Sequence, residues 1–139
     1  MVFRITNPLS GEVEEEFPEH SEAEVQALLS QAQEAFNALR VMSIEDRAQL
    51  MRAAADIMES DSPTLSPALV REMGKPLAQA EAEVAKCVRN MRFYADNAAQ
   101  FLADEPLGDP STVGASAAWA RYEPLGIVLA VMPWNFPLW

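Results

Sequence analysis

Residues 127 to 132, Ile-Val-Leu-Ala-Val-Met, form an unbroken apolar run that follows a Pro124-Leu125-Gly126 turn signal and leads into a segment bracketed by Pro133 and Pro137. No other stretch limits the fold as strongly. Six residues are too few for a free-standing helix, and three of them, Ile127, Val128 and Val131, are β-branched. A strand apolar on both faces belongs in a sheet covered on both sides, as parallel sheets are. Pro133 fixes φ and lacks an N–H, so the strand stops there. Pro137 suits the first position of a helix, where a missing N–H costs nothing. The segment reads as the strand, turn and helix start of a βα unit. Residues 21 to 103 are helical in pattern and supply no parallel neighbour, so the chain is expected to be the front of a longer α/β protein.

Length and charge narrow the classes further. At 139 residues, half of them hydrophobic, the chain suffices for one ordinary domain. A net charge of −11 argues against nucleic acid as a partner, because phosphate binding relies on Lys and Arg. The single cysteine makes no internal disulfide, which suits a reducing compartment. The opening Met-Val-Phe-Arg-Ile-Thr-Asn-Pro lacks the basic start and apolar core of a signal peptide. No apolar run approaches the roughly 20 residues of a membrane span. A soluble cytoplasmic protein with no membrane partner is expected.

Along the chain, the alternation of Val2 to Thr6, the turn signal from Asn7 to Gly11 and a second extended piece from Glu12 to Phe17 predict an opening hairpin within residues 1–20. Ser21 with Glu24 predicts a capping box, and Val25, Leu28, Leu29, Ala32, Phe36 and Leu39 form one apolar face expected to be buried. A second helix is predicted from Ser43, its stripe running through Ile44, Ala48, Met51, Ala55 and Met58. Ser66-Pro67 reads as the cap and first residue of a short third helix ending at Met73-Gly74. The longest helix opens at Pro76 and runs to about Ala103, its stripe including Ala80, Val84, Cys87, Val88 and Ala95. Residues 104–122 are a Pro/Gly-rich connector in which Ala115 to Tyr122 is expected to be extended.

Side-chain chemistry gives no complete catalytic set. Cys87 sits on the apolar stripe of a helix, not at a helix N-terminus that would activate it, and reads as a buried small hydrophobe. His20, the only histidine, lies in an acidic loop with no nucleophile beside it, and one His with one Cys fills no zinc site. Glu81 with Glu83, and Glu14 to Glu16, read as solvated faces. No glycine-rich phosphate motif is present. Asn135 stands apart, in the loop at the carboxyl end of the buried strand, where open α/β sheets place their ligands. Its amide can donate to a developing oxyanion. It can equally cap a helix starting near Pro137, and the residues leave both roles open.

Glu123-Pro-Leu-Gly126 followed by Val128-Leu-Ala-Val-Met-Pro-Trp-Asn-Phe-Pro137 resembles a signature of the NAD(P)+-dependent aldehyde dehydrogenase superfamily. Asn7-Pro8 to Gly11-Glu12, Arg47 and Glu72-Met-Gly-Lys-Pro76 follow in the family's order, so the resemblance covers essentially the whole chain. With Ala82-Glu-Val-Ala-Lys86 and Leu138-Trp139, the sequence is most similar to the bacterial succinate-semialdehyde dehydrogenase group. Ser62-Pro63 and Ser66-Pro67 depart from the smoother polar helix that relatives carry there.

The resemblance implies the N-terminal portion of the aldehyde dehydrogenase fold: hairpin, helices over 21–103, connector, and over 123–139 the start of the dinucleotide-binding, Rossmann-like parallel sheet. It implies an oxidoreductase taking an aldehyde, by subgroup succinate semialdehyde, to the acid with NAD or NADP, and a homo-oligomer at full length. Asn135 matches the catalytic amide that steadies the oxyanion of a cysteine thiohemiacetal. Met132, Pro133 and Trp134 match the loop along the dinucleotide, and Phe136 and Trp139 match positions lining the substrate tunnel; no metal is implied. The family's nucleophile and general base fall beyond residue 139, so these residues alone are expected to be inactive. The competing expectation is a stand-alone helical interaction module.

Overall fold

The computed structural model describes residues 2–139; Met1, first residue of the expected hairpin, lies outside them. Val2–Thr6 (β1) and Val13–Pro18 (β2) pair antiparallel, with Val2 opposite Pro18 and an irregularity at Ile5/Thr6. The reversal between them is closed by Gly11 N–H donating to the Asn7 carbonyl at 2.8 Å. Four helices follow: α1 Glu22–Leu39, α2 Ile44–Ser60, α3 Ser62–Met73 and α4 Leu77–Phe101.

Their starts follow local chemistry. Ser21 Oγ accepts from the Glu24 N–H while Glu24 reaches back to the Ser21 N–H at 2.7 Å, the reciprocal box that the sequence predicts. Ser43 caps α2 by accepting from the Asp46 N–H at 3.0 Å. α3 departs from expectation. It starts five residues earlier, at Ser62, with Pro63 in its first turn and Pro67 inside. A proline tolerates the first turn because that N–H has no helical partner. Ser66 and Leu69 are buried within the continuous helix, so tertiary burial outweighs the one ladder bond Pro67 removes.

The core lies where α2 and α3 pack against α4. Ala55, Val84 and Val88 form its centre, with Met58, Leu65, Met91 and Leu138 packed around them. Arg92 spans from α4 to Asp56 and Glu59 of α2, and Arg52 spans from α2 to Asp96 of α4. These exposed pairs fix alignment more than they add stability. α1 is the exception to this packing. Its expected buried face is not buried: Val25, Leu28, Leu29 and Leu39 are all exposed, because none of the described elements covers it.

After α4, Glu105–Pro106 (β3) pairs antiparallel with Trp119–Ala120 (β4) around a 3₁₀ turn at Pro110–Val113. The extended piece expected over 115–122 is thus a two-residue bridge. Residues 127–132 form no strand, and both sheets among the described residues are two-stranded and antiparallel. A strand is defined by its ladder, and no neighbour for this one exists among residues 2–139. The run stays apolar and exposed, Leu129 at 89% and Val131 at 85%.

α3 ends on Gly74, which adopts the left-handed φ of +75° and turns the chain toward Pro76. A Cβ there would stand 3.0 Å from Pro8 Cγ, whereas at Gly11, with φ of +76°, it would meet nothing. Gly11→Ala is therefore expected to cost about 1 kcal/mol, the left-handed penalty alone, and Gly74→Ala about 2 kcal/mol, strain plus displacement of the hairpin. Equal losses in denaturant unfolding would contradict this.

Candidate functional site

The segment from Pro133 to Trp139 folds back onto the N-terminal half of α4. Pro133 to Phe136 is a turn closed by the Phe136 N–H donating to the Pro133 carbonyl at 3.2 Å. Beyond it, two successive backbone donors aim at one carboxylate oxygen: Leu138 N–H at 3.0 Å and Trp139 N–H at 3.3 Å from Glu83 Oε1. The other oxygen of Glu83 accepts from Lys75 Nζ, and both side chains are buried. The Lys75 ammonium also lies 4.1 Å from the centroid of the Phe136 ring, and Lys86 Nζ lies 3.6 Å from that of Trp139. Leu138 packs into the core cluster.

Glu83 was expected on a solvated face, and the structure corrects this: it is 3% exposed. Its place on α4 explains why. It stands three residues after Ala80 and four before Cys87, inside the stripe that faces the core. Burial raises the carboxyl's pKa, but the Lys75 ammonium and the Leu138 and Trp139 N–H groups more than offset that, holding it below the usual carboxylate value. Lys75 reaches Glu83 because the left-handed Gly74 reverses the chain between α3 and α4. The sequence carried one usable signal for this pair, an acid at an apolar-stripe position eight residues after a lysine in a helix-breaking Gly-Lys-Pro.

Asn135 lies at the exposed side of the turn. Its side-chain amide makes no hydrogen bond among the described residues, so it caps no helix here. The orphan N–H groups after Pro137 are taken by Glu83 instead. Met132 and Trp134 are exposed as well. The backbone N–H groups of Met132, Trp134 and Asn135 have no hydrogen-bond partner among the described residues. Phe136 borders a shallow cavity of about 250 Å³ with Lys75, Gln79, Ala82, Glu83 and Lys86. A larger one of about 700 Å³ lies between the hairpin turn and α3, lined by Pro8, Leu9, Val70 and Met73 among others, and touches none of residues 132–139.

Cys87 is buried, and burial first, then Glu83, push its thiol pKa up, the opposite of an activated nucleophile. His20 is exposed. Among the described residues no group of three His, Cys, Asp or Glu side chains gathers around a metal position, and no helix is long and apolar enough to cross a membrane.

Comparison with known proteins gives this architecture its class. The profile of the aldehyde dehydrogenase family matches residues 1–139, and the chain belongs to that family. It is 47% identical over 133 residues to succinate-semialdehyde dehydrogenase (NADP(+)) 1 of Mycobacterium tuberculosis, covering 96% of this chain and 29% of that protein. It is 46% identical to the protein of the same name from Mycobacterium ulcerans, covering 100% of this chain and 30% of that one. Among solved structures, succinic semialdehyde dehydrogenase from Streptococcus pyogenes in complex with NADP+ superposes with a TM-score of 0.88 at 27% identity, over 98% of this chain and 29% of that one. The chain thus spans about 30% of the length of the curated relatives it matches, and its fold is that of the N-terminal portion of an aldehyde dehydrogenase.

A carboxyl whose folded pKa is depressed contributes stability that is present above its unfolded value and is lost as pH falls through the folded one. The Glu83 contact with the turn is therefore expected to hold at neutral pH and to release only as pH falls below the ordinary glutamate range. With Trp119 and Trp134 replaced by Phe, Trp139 fluorescence should change over that range as its ring leaves Lys86. Emission that stays constant until the helices melt by circular dichroism would contradict it.

Proposed function

We propose that residues 1–139 serve an enzyme that oxidises an aldehyde, succinate semialdehyde by likeness to its relatives, to the carboxylic acid with NADP+. The reading rests above all on the family match across the whole chain, ending on the Pro133–Pro137 turn. In it, Asn135 donates its amide to the oxygen of the aldehyde as a cysteine outside these residues attacks the carbonyl carbon. Such a donor, fixed where negative charge develops, strengthens as the reaction proceeds. The exposed amide with no internal partner supports that assignment. Met132, Pro133 and Trp134 lie along the dinucleotide, which supplies the hydride acceptor when bound; their open main chain suits such a ligand. Phe136 and Trp139 line the way to the aldehyde. Residues 123–139 begin the dinucleotide-binding sheet, and strand partners from further along the chain cover the apolar run 127–132. The enzyme is cytoplasmic and a homo-oligomer.

In a chain of the relatives' length carrying these residues, Asn135→Ala is expected to lower kcat by about 10²- to 10³-fold while leaving the melting temperature unchanged, because the side chain is exposed and unbonded. Residues 1–139 alone should reduce no NADP+ with any aldehyde, with or without Cys87→Ser. Turnover by these residues that depends on Cys87, or an Asn135→Ala enzyme with unchanged kcat followed at 340 nm, would overturn the assignment.

A further inference from the structure

The Asn135 amide can serve a reacting oxygen only if the turn that carries it is held still, and the turn itself supplies a single hydrogen bond, Phe136 N–H to the Pro133 carbonyl. Its other polar contacts come from α4 and from Lys75, two residues before that helix. Glu83 Oε1 takes the two N–H groups that follow Pro137, Glu83 Oε2 takes Lys75, and Lys75 in turn lies against the ring of Phe136, next in sequence to Asn135. The ion pair therefore grips the turn from both sides, its carboxylate through backbone after the turn and its ammonium through an aromatic face within it. We propose that the buried Glu83–Lys75 pair is the positioning device of the oxyanion donor, setting where the Asn135 amide points without itself meeting substrate. The inference rests on the reading of Asn135 given above.

Both side chains are too deeply buried to contact an aldehyde, 3% and 6% exposed. Removing one partner strands a buried charge, so the test removes both charges together, which buried pairs commonly tolerate. Lys75→Met with Glu83→Gln keeps an acceptor for the Leu138 and Trp139 N–H groups; Lys75→Met with Glu83→Leu does not. In the chain of the relatives' length, the Gln pair, which keeps the acceptor for the two backbone N–H groups but loses the Lys75 contact with Phe136, is expected to fall only severalfold in kcat. The Leu pair is expected to lose about 10- to 100-fold in kcat, the scale of a misplaced reactive group, with the aldehyde KM within about twofold. The decisive measurement is the cycle with Asn135→Ala. In that background the Gln and Leu pairs should turn over equally, because no donor remains to be positioned. Equal kcat for the two pairs beside Asn135, or a Leu deficit undiminished by Asn135→Ala, overturns the proposal. If the Leu pair fails to fold, Lys75→Met with Glu83→Met, a flexible apolar filler that likewise offers the Leu138 and Trp139 N–H groups no oxygen, replaces it: a loss of kcat relative to the Gln pair that vanishes with Asn135→Ala supports the proposal, and a loss that persists sinks it. A parent chain with no aldehyde turnover defeats the dehydrogenase reading itself, and is told apart from these outcomes before any variant is made.

Discussion

A buried carboxylate ties the Pro133–Trp139 segment to the helical core. Glu83 lies in the face of α4 that packs on α2 and α3, so the ion that binds the Pro133–Trp139 segment is itself part of the helical core. Left unpaired, a charge at such a depth would cost several kcal/mol. Lys75 and two backbone N–H groups remove that cost, and each of the three is delivered by a different local device: the left-handed Gly74, the fixed φ of Pro137 and the packing of Leu138 among Val84 and Val88. Loss of any one leaves the others facing an unsatisfied group.

The rest of the molecule divides by whether it shares in that core. α2, α3 and α4 do, and their alignment is reinforced by the arginine bridges across the α2–α4 seam. The hairpin is tied on by Arg71 to Glu14 at 3.1 Å and by the close approach of Pro8 to Gly74. α1 and residues 127–132 stand outside it, each with a continuous apolar surface and no described partner. Both surfaces are exposed in a chain that spans about 30% of its relatives' length.

Helix caps were readable in the sequence where a single candidate stood, and long-range partners were not. The capping box at Ser21 and Glu24, the cap at Ser43 and the left-handed Gly74 each depend on residues within four positions, and each is found as expected. The start of α3 was misplaced because two serine-proline pairs compete as helix entries, and burial of Ser66 decides between them. The face of α1 was correctly seen as apolar, but periodicity says nothing about what covers it. At the site, the turn and its asparagine were legible from Pro133-Trp-Asn-Phe-Pro137 alone. Glu83 was not, since its role depends on a contact across 55 residues with Leu138, and an acid on a helix reads as solvated until its neighbours are known.

The burial of Cys87 gives the chain a clock. A thiol buried on the core-facing stripe of α4, with its pKa raised, reacts only while that packing is open. In an enzyme whose working cysteine is exposed and reactive, alkylation would proceed in two well-separated phases. The slow phase would time the breathing of this helical core and leave the chemistry of the active site unrecorded.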